Sequence, residues 1–123
     1  MLDHATLRTF CLNMTGAVEE FPFGPDAAVF KVMGKMFALM PVVADPPTIS
    51  LKCDPIEAVI LRQQYPSVQP GYLLNKKHWN TVVSDGSHKD ERLKEMVEDS
   101  YVLVRQKLTR KARAELDELE NDE

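Results

Sequence analysis

The chain has 123 residues, of which 44% are hydrophobic and 28% are charged, and its formal net charge is −4 at pH 7. This composition is ordinary for a globular protein and excludes extensive disorder, and the length fits a single domain over residues 1–123. No apolar run reaches the roughly 20 residues of a membrane-spanning helix, and the start, MLDHATLRTF, lacks a secretory signal pattern. We therefore expect a cytoplasmic protein with no membrane association.

The negative charge is concentrated at one end of the chain. Residues 114–123 (AELDELENDE) contain six acidic and no basic side chains, which leaves 13 acidic and 15 basic residues in 1–113. The body of the protein is therefore mildly basic, with a balance of +2. Such a body permits an anionic partner without requiring one.

The first predicted element is an amphipathic helix. Asp3 is placed to cap it and Gly16 to end it. The apolar residues with the spacing of one helical face are Leu7, Phe10, Cys11 and Met14. The next segment, EEFPFGPD (19–26), is predicted to be a loop because of its prolines and glycine.

A β-hairpin is predicted next. The segments AAVFKV (27–32) and KMFALMPVV (35–43) are rich in β-branched and aromatic residues. They flank Met33 and Gly34, and the glycine supplies the positive φ that a tight turn needs. Two further strands are predicted at TISLKC (48–53) and HWNTVV (78–83).

Three more helices complete the prediction. Asp54 and Pro55 begin a helix that runs to about Gln64 and is predicted to bury Ile56, Val59 and Ile60. The longest helix is predicted to start at Ser87, with one apolar face formed by Leu93, Met96, Val97, Ser100, Tyr101, Val104 and Leu108. Thr109 is placed to cap the last helix. Since most links between strands are too short for parallel crossovers, the fold class is α+β, a mainly antiparallel sheet packed by N-terminal and C-terminal helices.

The sequence contains no recognisable catalytic or metal-binding pattern. Ser84, Asp85 and His88 are neighbours in sequence, but three groups within one turn do not form a nucleophile–base–orienter chain. The glycines are isolated, and the histidines share no zinc-ligand spacing. Cys11 and Cys53 lack CxxC spacing and are predicted to be free thiols. We therefore expect no catalytic residues, no metal and no cofactor.

Two basic stretches favour an anionic partner. Lys31 and Lys35 flank the hairpin turn, and Asn75-Lys76-Lys77-His78-Trp79 is the densest cationic and aromatic run. Lysines suit phosphate contacts, Asn and His suit hydrogen bonds, and Trp suits base stacking. The candidate nucleic-acid-binding residues are therefore Lys31, Lys35, Asn75, Lys76, Lys77, His78 and Trp79. In the alternative interpretation, the two lysines of the run are a solvated turn and the tryptophan is a core anchor.

The sequence resembles the MmcQ/YjbR family of small bacterial proteins over nearly its whole length. The matching stretches are EEFPFG (19–24), VFKVMGKMFAL (29–39), SLKCDP (50–55), YPSVQPGYLLNKKHWNTV (65–82) and SYVLVRQKL (100–108). The resemblance implies an α+β fold similar to that of frataxin-type (CyaY-like) proteins, and a double-wing protein that binds DNA. Leu73 departs from the family, which often has His at this position.

Three hypotheses for function follow. The first is a non-enzymatic DNA-binding protein that contacts phosphates through the hairpin tip and the 75–79 run. The alternative is a protein-interaction or regulatory module without nucleic-acid binding, for which Tyr72, Leu73 and Leu74 would form an exposed apolar patch. The third is a small-ligand pocket near EEFPFG and His78-Trp79.

Overall fold

The computed structural model describes residues 1–122, which contain four helices and six strands. In chain order these are α1 (His4–Leu12), β1 (Ala17–Glu20), β2 (Ala27–Val32), β3 (Lys35–Pro41), β4 (Thr48–Lys52), α2 (Pro55–Gln64), β5 (Val68–Pro70), β6 (Trp79–Val83), α3 (Asp90–Gln106) and α4 (Arg110–Asn121). The strands form one sheet in the order β1-β2-β3-β4-β6-β5, and all neighbouring pairs are antiparallel. The predicted α+β class with an antiparallel sheet is confirmed.

The core lies between the sheet and α3, which contacts β2, β3 and β4, while α1 contacts β1. The predicted apolar face of α3 is confirmed, because all seven of its residues from Leu93 to Leu108 are buried. The largest side chains at the centre include Leu7, Phe30, Phe37, Met40, Ile49, Leu93 and Leu116. None of the helices within residues 1–122 is long and apolar enough to cross a membrane.

Side-chain caps fix three of the four helix starts, as predicted. Asp3, Asp54 and Thr109 each accept a hydrogen bond from a backbone amide in the first turn of α1, α2 and α4. Such caps satisfy amide groups that have no partner inside the helix. The predicted start of α3 at Ser87 is wrong: its amide donates to Asp85 in a local turn, so the helix begins only at residue 90.

Two short edge strands were missed by the sequence analysis. β1 begins at Ala17 and includes the first two residues, 19 and 20, of the segment predicted as a loop, and β5 consists of three residues ending at Pro70. Strands of three or four residues are too short to show the alternation of apolar and polar residues by which strands are predicted. Proline is tolerated at the edge of a sheet because no neighbouring strand needs its missing backbone N–H. The two strands close the sheet on opposite sides.

The predicted turn between β2 and β3 is confirmed. Met33 and Gly34 have φ values of 48° and 83°, and two successive residues with positive φ are typical of the type I′ turn that joins hairpin strands. Methionine rarely adopts this conformation, since its Cβ crowds the backbone. The hairpin therefore tolerates strain at residue 33 to keep a two-residue connection.

A β-bulge interrupts the hairpin below the turn. Phe30 pairs with Ala38, but the next residue of β2, Lys31, pairs with Met36. Phe37 is therefore the extra residue of the bulge. Its ring packs edge-on against a tyrosine of α3, with ring centroids 5.4 Å apart. The bulge thus turns one more large side chain of β3 toward the helix.

Ser100 of α3 joins β3 to β4 where the pairing of these strands stops. The two strands pair through only two residues each. At that point the buried Ser100 hydroxyl donates to the Phe37 carbonyl at 2.6 Å and accepts from the Lys52 amide at 2.9 Å. The hydroxyl therefore takes the place of a strand-to-strand hydrogen bond and fixes α3 to both strands.

α2 buries different residues from those predicted. Ala58 and Leu61 are buried, whereas three side chains expected in the core are 74%, 48% and 39% exposed, namely Ile56, Val59 and Ile60. α2 packs against β5 and β6 so closely that the Asn80 side-chain amide donates to the Ala58 carbonyl. Only a small side chain fits where α2 comes this close to β6, so Ala58 faces the sheet. The side chains of Ile56, Val59 and Ile60 face outward.

α4 carries the acidic end of the chain and uses part of that charge internally. The Arg105 guanidinium of α3 forms ion pairs with both Asp117, at 2.8 Å, and Glu120. The hydrogen bonds that the guanidinium donates, first to Glu120 and then to Asp117, raise the pKa of Arg105. The last acidic residue of the predicted stretch, at position 123, lies outside the described residues.

Replacing Ser100 with alanine tests the link between α3 and the two strands. We expect S100A to lower the free energy of unfolding by about 1–3 kcal/mol, because a buried carbonyl and a buried amide both lose their partner. Urea denaturation followed by circular dichroism measures this change. The matched control S87A, at an exposed turn residue, should stay within about 0.5 kcal/mol of the parent. Equal stability of S100A and S87A would contradict the role of the hydroxyl.

Candidate nucleic-acid interface

The two predicted basic stretches lie at the same end of the sheet. β3 begins at the hairpin turn, β4 ends at Lys52, and Lys52 pairs with Trp79 at the start of β6. Antiparallel neighbours run in opposite directions, so the turn and the residues before β6 share one end. We call this the turn end of the sheet. β3 and β6 are two strand spacings apart, roughly 10 Å.

Lys31 and Lys35 do not act together at the hairpin. Val32 pairs with Lys35, so these two side chains share a face, and the adjacent Lys31 lies on the opposite face. The Lys31 ammonium is 2.9 Å from a carboxylate oxygen of Glu20 in β1. Glu20 was predicted to lie in a loop, so this ion pair across two strands was not expected. The hairpin tip therefore presents Lys35 and not both lysines.

Lys35 belongs to a group of lysines that the sequence analysis did not identify. Partial burial and then the positive charges of Lys107 and Lys35 lower the pKa of Lys52, so both of these lysines lie near enough to Lys52 to repel its ammonium group. We call Lys35, Lys52 and Lys107 the lysine cluster. None of the three forms an ion pair within residues 1–122. The cluster is thus a group of positive charges without a direct ion-pair partner in the described residues.

The 75–79 run is held in shape by its own polar groups. Asn75 accepts a hydrogen bond from the Lys77 amide at 2.9 Å, and the Lys76 ammonium donates to the Gly71 carbonyl at 3.2 Å. Asn75 and Lys76 therefore use their side chains to build the loop. The Lys77 side chain is exposed and lies beside the outer surface of α2.

His78 and Trp79 are half-buried. The Gly71 amide donates to the Trp79 carbonyl at 2.9 Å, and a Cβ atom added at Gly71 would lie 2.8 Å from the Trp79 Cβ. The loop before the 75–79 run thus packs directly on the tryptophan, and only glycine fits there. The His78 carbonyl accepts a hydrogen bond from the Cys53 amide. This packing favours the interpretation of the tryptophan as an anchor.

Arg62 of α2 connects the helix to the 75–79 run and was not identified from the sequence. Its guanidinium donates to the Asn80 side chain at 2.7 Å, to the Trp79 carbonyl at 3.4 Å and to the Lys76 carbonyl. The run has no arginine of its own, but the fold supplies this one. The N–H groups of Arg62 donate to partners inside the protein, so this arginine holds the 75–79 run in position. It is not available for a bidentate hydrogen bond to a DNA base.

Two exposed apolar surfaces lie near the run. Tyr72 and Leu73 are 73% and 83% exposed, in agreement with the patch that the second hypothesis requires. The other surface belongs to α2 and borders Lys76 and Lys77. We call it the α2 outer face, formed by Ile56, Val59 and Ile60.

The side chains of Ser84, Asp85 and His88 do not meet. Ser84 is buried and donates to the Leu2 carbonyl at 2.6 Å, while Asp85 accepts from an amide of its own turn. The His88 Nδ1 atom is 2.9 Å from the hydroxyl of Ser67, which is 3% exposed. Ser84 and Ser67 are both buried, so neither hydroxyl is accessible to a substrate. Ser84, Asp85 and His88 therefore do not form a catalytic triad.

A cavity of about 270 Å³ opens between α2, α3 and the β4–β6 pair. Its floor is apolar and consists of Leu51, Leu61, Val68, Val82 and Met96. Its mouth is polar and includes Lys52, Cys53, Asp54, Glu57 and Asp99. The third hypothesis placed a pocket near EEFPFG and His78-Trp79, and this cavity is lined by neither stretch.

Comparison with known proteins agrees with the resemblance seen in the sequence. The family model YjbR matches residues 12–103. The chain belongs to the YjbR family. It is 38% identical over 101 residues to YbdF of Escherichia coli O157:H7, covering 82% of this chain and 83% of YbdF. It is also 38% identical over 95 residues to YjbR of Escherichia coli K12, covering 77% and 80% of the two chains.

Solved structures share the fold of this YjbR-family protein. The crystal structure of Deinococcus radiodurans DR2400 has a TM-score of 0.89 and 42% identity, covering 95% of this chain and 89% of DR2400. A Pseudomonas syringae protein has a TM-score of 0.72 and 25% identity, covering 83% of this chain and 98% of its own. The family and the fold class predicted from the sequence are both confirmed.

The environment of Cys53 leads to a prediction about this YjbR-family protein. Burial, followed by the charges of Glu57, Asp54 and Asp99, raises the pKa of the Cys53 thiol to about 11. Because only the thiolate reacts, alkylation by iodoacetamide at pH 8 should be roughly 200-fold slower than for an ordinary cysteine with a pKa of about 8.5. The rate should rise about tenfold per pH unit between pH 8 and 10.

Mass spectrometry after timed alkylation measures this rate. The control C53S retains only Cys11, which is fully buried and whose pKa burial raises to about 12, so it should remain unmodified while the protein is folded. Alkylation of Cys53 at pH 8 as fast as that of a short cysteine peptide would show that the carboxylates do not surround the thiol.

Proposed function

We propose that this YjbR-family protein is a DNA-binding protein without catalytic activity, and that it holds the phosphate backbone through the lysine cluster. The observation that supports this function is the grouping of Lys35, Lys52 and Lys107 from three separate parts of the fold. No carboxylate pairs with them in the described residues. The positive charges of Lys107 and Lys35 disfavour the charged form of Lys52, and a bound phosphate would relieve that repulsion.

The remaining candidate residues have supporting roles in this proposal. Lys77 is exposed and precedes β6 at the turn end, so it adds a further ammonium group at the same end of the sheet as the lysine cluster. Asn75, Lys76 and Trp79 hold the loop that carries Lys77. Lysines contact phosphates as point charges and carry no sequence information, so the proposed binding is independent of DNA sequence.

Fluorescence anisotropy with a labelled 20-base-pair duplex tests DNA binding. If the three cluster lysines each neutralise one phosphate, the affinity should fall roughly fortyfold between 50 and 200 mM salt. The double variant K35Q/K107Q should reduce the slope of log affinity against log salt by about two, because two phosphate contacts are lost.

The matched control for this experiment is K31Q. It removes a lysine from the same hairpin, but one that is paired with Glu20 on the opposite face. K31Q should therefore keep the salt dependence of the parent protein. Absence of binding at 50 mM salt, or an equal loss in K31Q and K35Q/K107Q, would refute the proposal.

Protein binding is a second candidate function, and the α2 outer face is the observation that favours it. Ile56 is 74% exposed and Val59 is 48% exposed, and adjacent exposed apolar side chains commonly mark a protein contact. Nearby Lys76 and Lys77 would add attraction for an acidic partner. This surface is separate from the lysine cluster, so the two functions are distinguishable by mutation.

Affinity purification from the native host, with quantitative mass spectrometry, tests this second function. The variant I56S/V59S should lose a protein partner recovered in a one-to-one ratio, because the apolar contact is removed. The control V43S changes a valine that is 92% exposed elsewhere on the surface and should retain the partner. Retention of the partner by I56S/V59S, or its loss from V43S, would exclude the α2 outer face as the contact.

A further inference from the structure

The cavity between α2 and α3 is a consequence of how the two helices pack. α2 packs against β5 and β6, whereas α3 packs against β2, β3 and β4. The cavity lies between these two packing sites and is lined by residues of both helices and of β4 and β6. The five floor residues are each 5% exposed or less, so the cavity reaches the hydrophobic core. One ion pair spans the helices beside it, with Arg92 at 3.9 Å from Glu57.

The volume of the cavity limits what it can hold. An apolar cavity of roughly 150 Å³ is large enough for benzene, so a volume of about 270 Å³ fits a molecule of on the order of ten non-hydrogen atoms. The floor offers apolar contact, and the buried polar side chain of Asn80, which also lines the cavity, is already hydrogen-bonded to Arg62 and Ala58. The part of a ligand that enters must therefore be hydrocarbon.

The mouth of the cavity carries excess negative charge. Asp54, Glu57 and Asp99 come from both helices and the turn before α2, and Lys52 is the one cation among the lining residues. All three carboxylates contribute to raising the pKa of the Cys53 thiol, which lines the same cavity. Asp54 is engaged as the helix cap and Glu57 is 3.9 Å from Arg92, whereas Asp99 forms no ion pair in the described residues. Asp99 is therefore the carboxylate best placed to bind a ligand, and Glu57 is the second one at the mouth.

The carboxylates at the mouth are suited to an organic cation. In the described part of the chain, no three metal-ligating side chains are close enough to share an ion. An ammonium group needs fewer ligands than a metal ion, since each N–H donates to a single carboxylate oxygen in a short charge-assisted hydrogen bond. An apolar floor below an acidic mouth therefore matches a hydrocarbon that ends in an ammonium group.

We propose that this cavity binds a small primary amine, with its hydrocarbon part on the floor and its ammonium group between Glu57 and Asp99. Nothing in the lysine cluster is needed for this binding. The site differs from the proposed DNA contact in ligand charge and in every residue except Lys52, which lines the mouth of the cavity, and either function stands without the other.

Titration of the full chain with three probes of similar shape tests the proposal. The probes are 2-phenylethylammonium, 2-phenylethanol and phenylacetate, and the readout is the ¹H–¹³C signal of the Met96 methyl group on the cavity floor. The ammonium probe should shift this signal at the lowest concentration, the alcohol at a higher one, and phenylacetate only weakly. The order follows from the charge at the mouth, because the phenyl group is common to all three.

Two substitutions at the mouth locate the charge contact. D99N and E57Q should each weaken binding of 2-phenylethylammonium about two- to fivefold, the range for one partly exposed ion pair, and leave 2-phenylethanol unaffected. The control E98Q changes the neighbouring exposed residue of α3, which does not line the cavity, and should bind as the parent does.

Three outcomes would overturn the proposal. The first is the absence of any Met96 shift with the ammonium probe at about 10 mM, which corresponds to a binding free energy weaker than about 3 kcal/mol. The second is binding of phenylacetate or 2-phenylethanol as tight as that of the amine. The third is an equal loss of amine affinity in E98Q and D99N. Loss of DNA binding in the lysine variants would leave the amine site unaffected.

Discussion

The buried hydroxyl of Ser100 joins α3 to β3 and β4, and the candidate sites depend on this connection. Ser100 donates to the Phe37 carbonyl and accepts from the Lys52 amide, so α3 is fixed at the point where β3 and β4 stop pairing. Its neighbour Asp99 is thereby placed at the mouth of the cavity. Lys107, about two helical turns further along, reaches the end of β4. Both charged regions of the molecule are therefore consequences of where this serine anchors the helix.

The elements that could be predicted from the sequence are those with a strong local pattern. The face of α3 repeats over several turns, and the turn at Met33 and Gly34 lies between two segments of high β-propensity. The buried residues of α2 were predicted wrongly. Asn80 comes close to Ala58, and this contact, not the size of the apolar side chains, decides which face of the helix is buried. Its outer isoleucines are exposed for a reason that arises only in three dimensions.

The candidate site was predictable only in part. Lys35 and Lys77 were singled out from composition and are exposed at the turn end. The sequence could not indicate that Lys31 faces Glu20 across the β1–β2 pair, because β1 itself was not recognised. Lys107 is far from Lys52 in sequence, and only the packing of α3 on the sheet brings its charge near that residue. Long-range contacts of this kind leave no periodic signal in one sequence.

Lys52 belongs to two environments at once, since it lines the mouth of the cavity and lies within the lysine cluster. A positive ligand on one side of this residue and a negative ligand on the other attract each other. Thermodynamic linkage requires the effect to be reciprocal: whatever factor an amine adds to phosphate affinity, phosphate adds to amine affinity. Because both proposed sites include Lys52 at the end of β4, binding of the amine and binding of phosphate would be cooperative without any change of conformation.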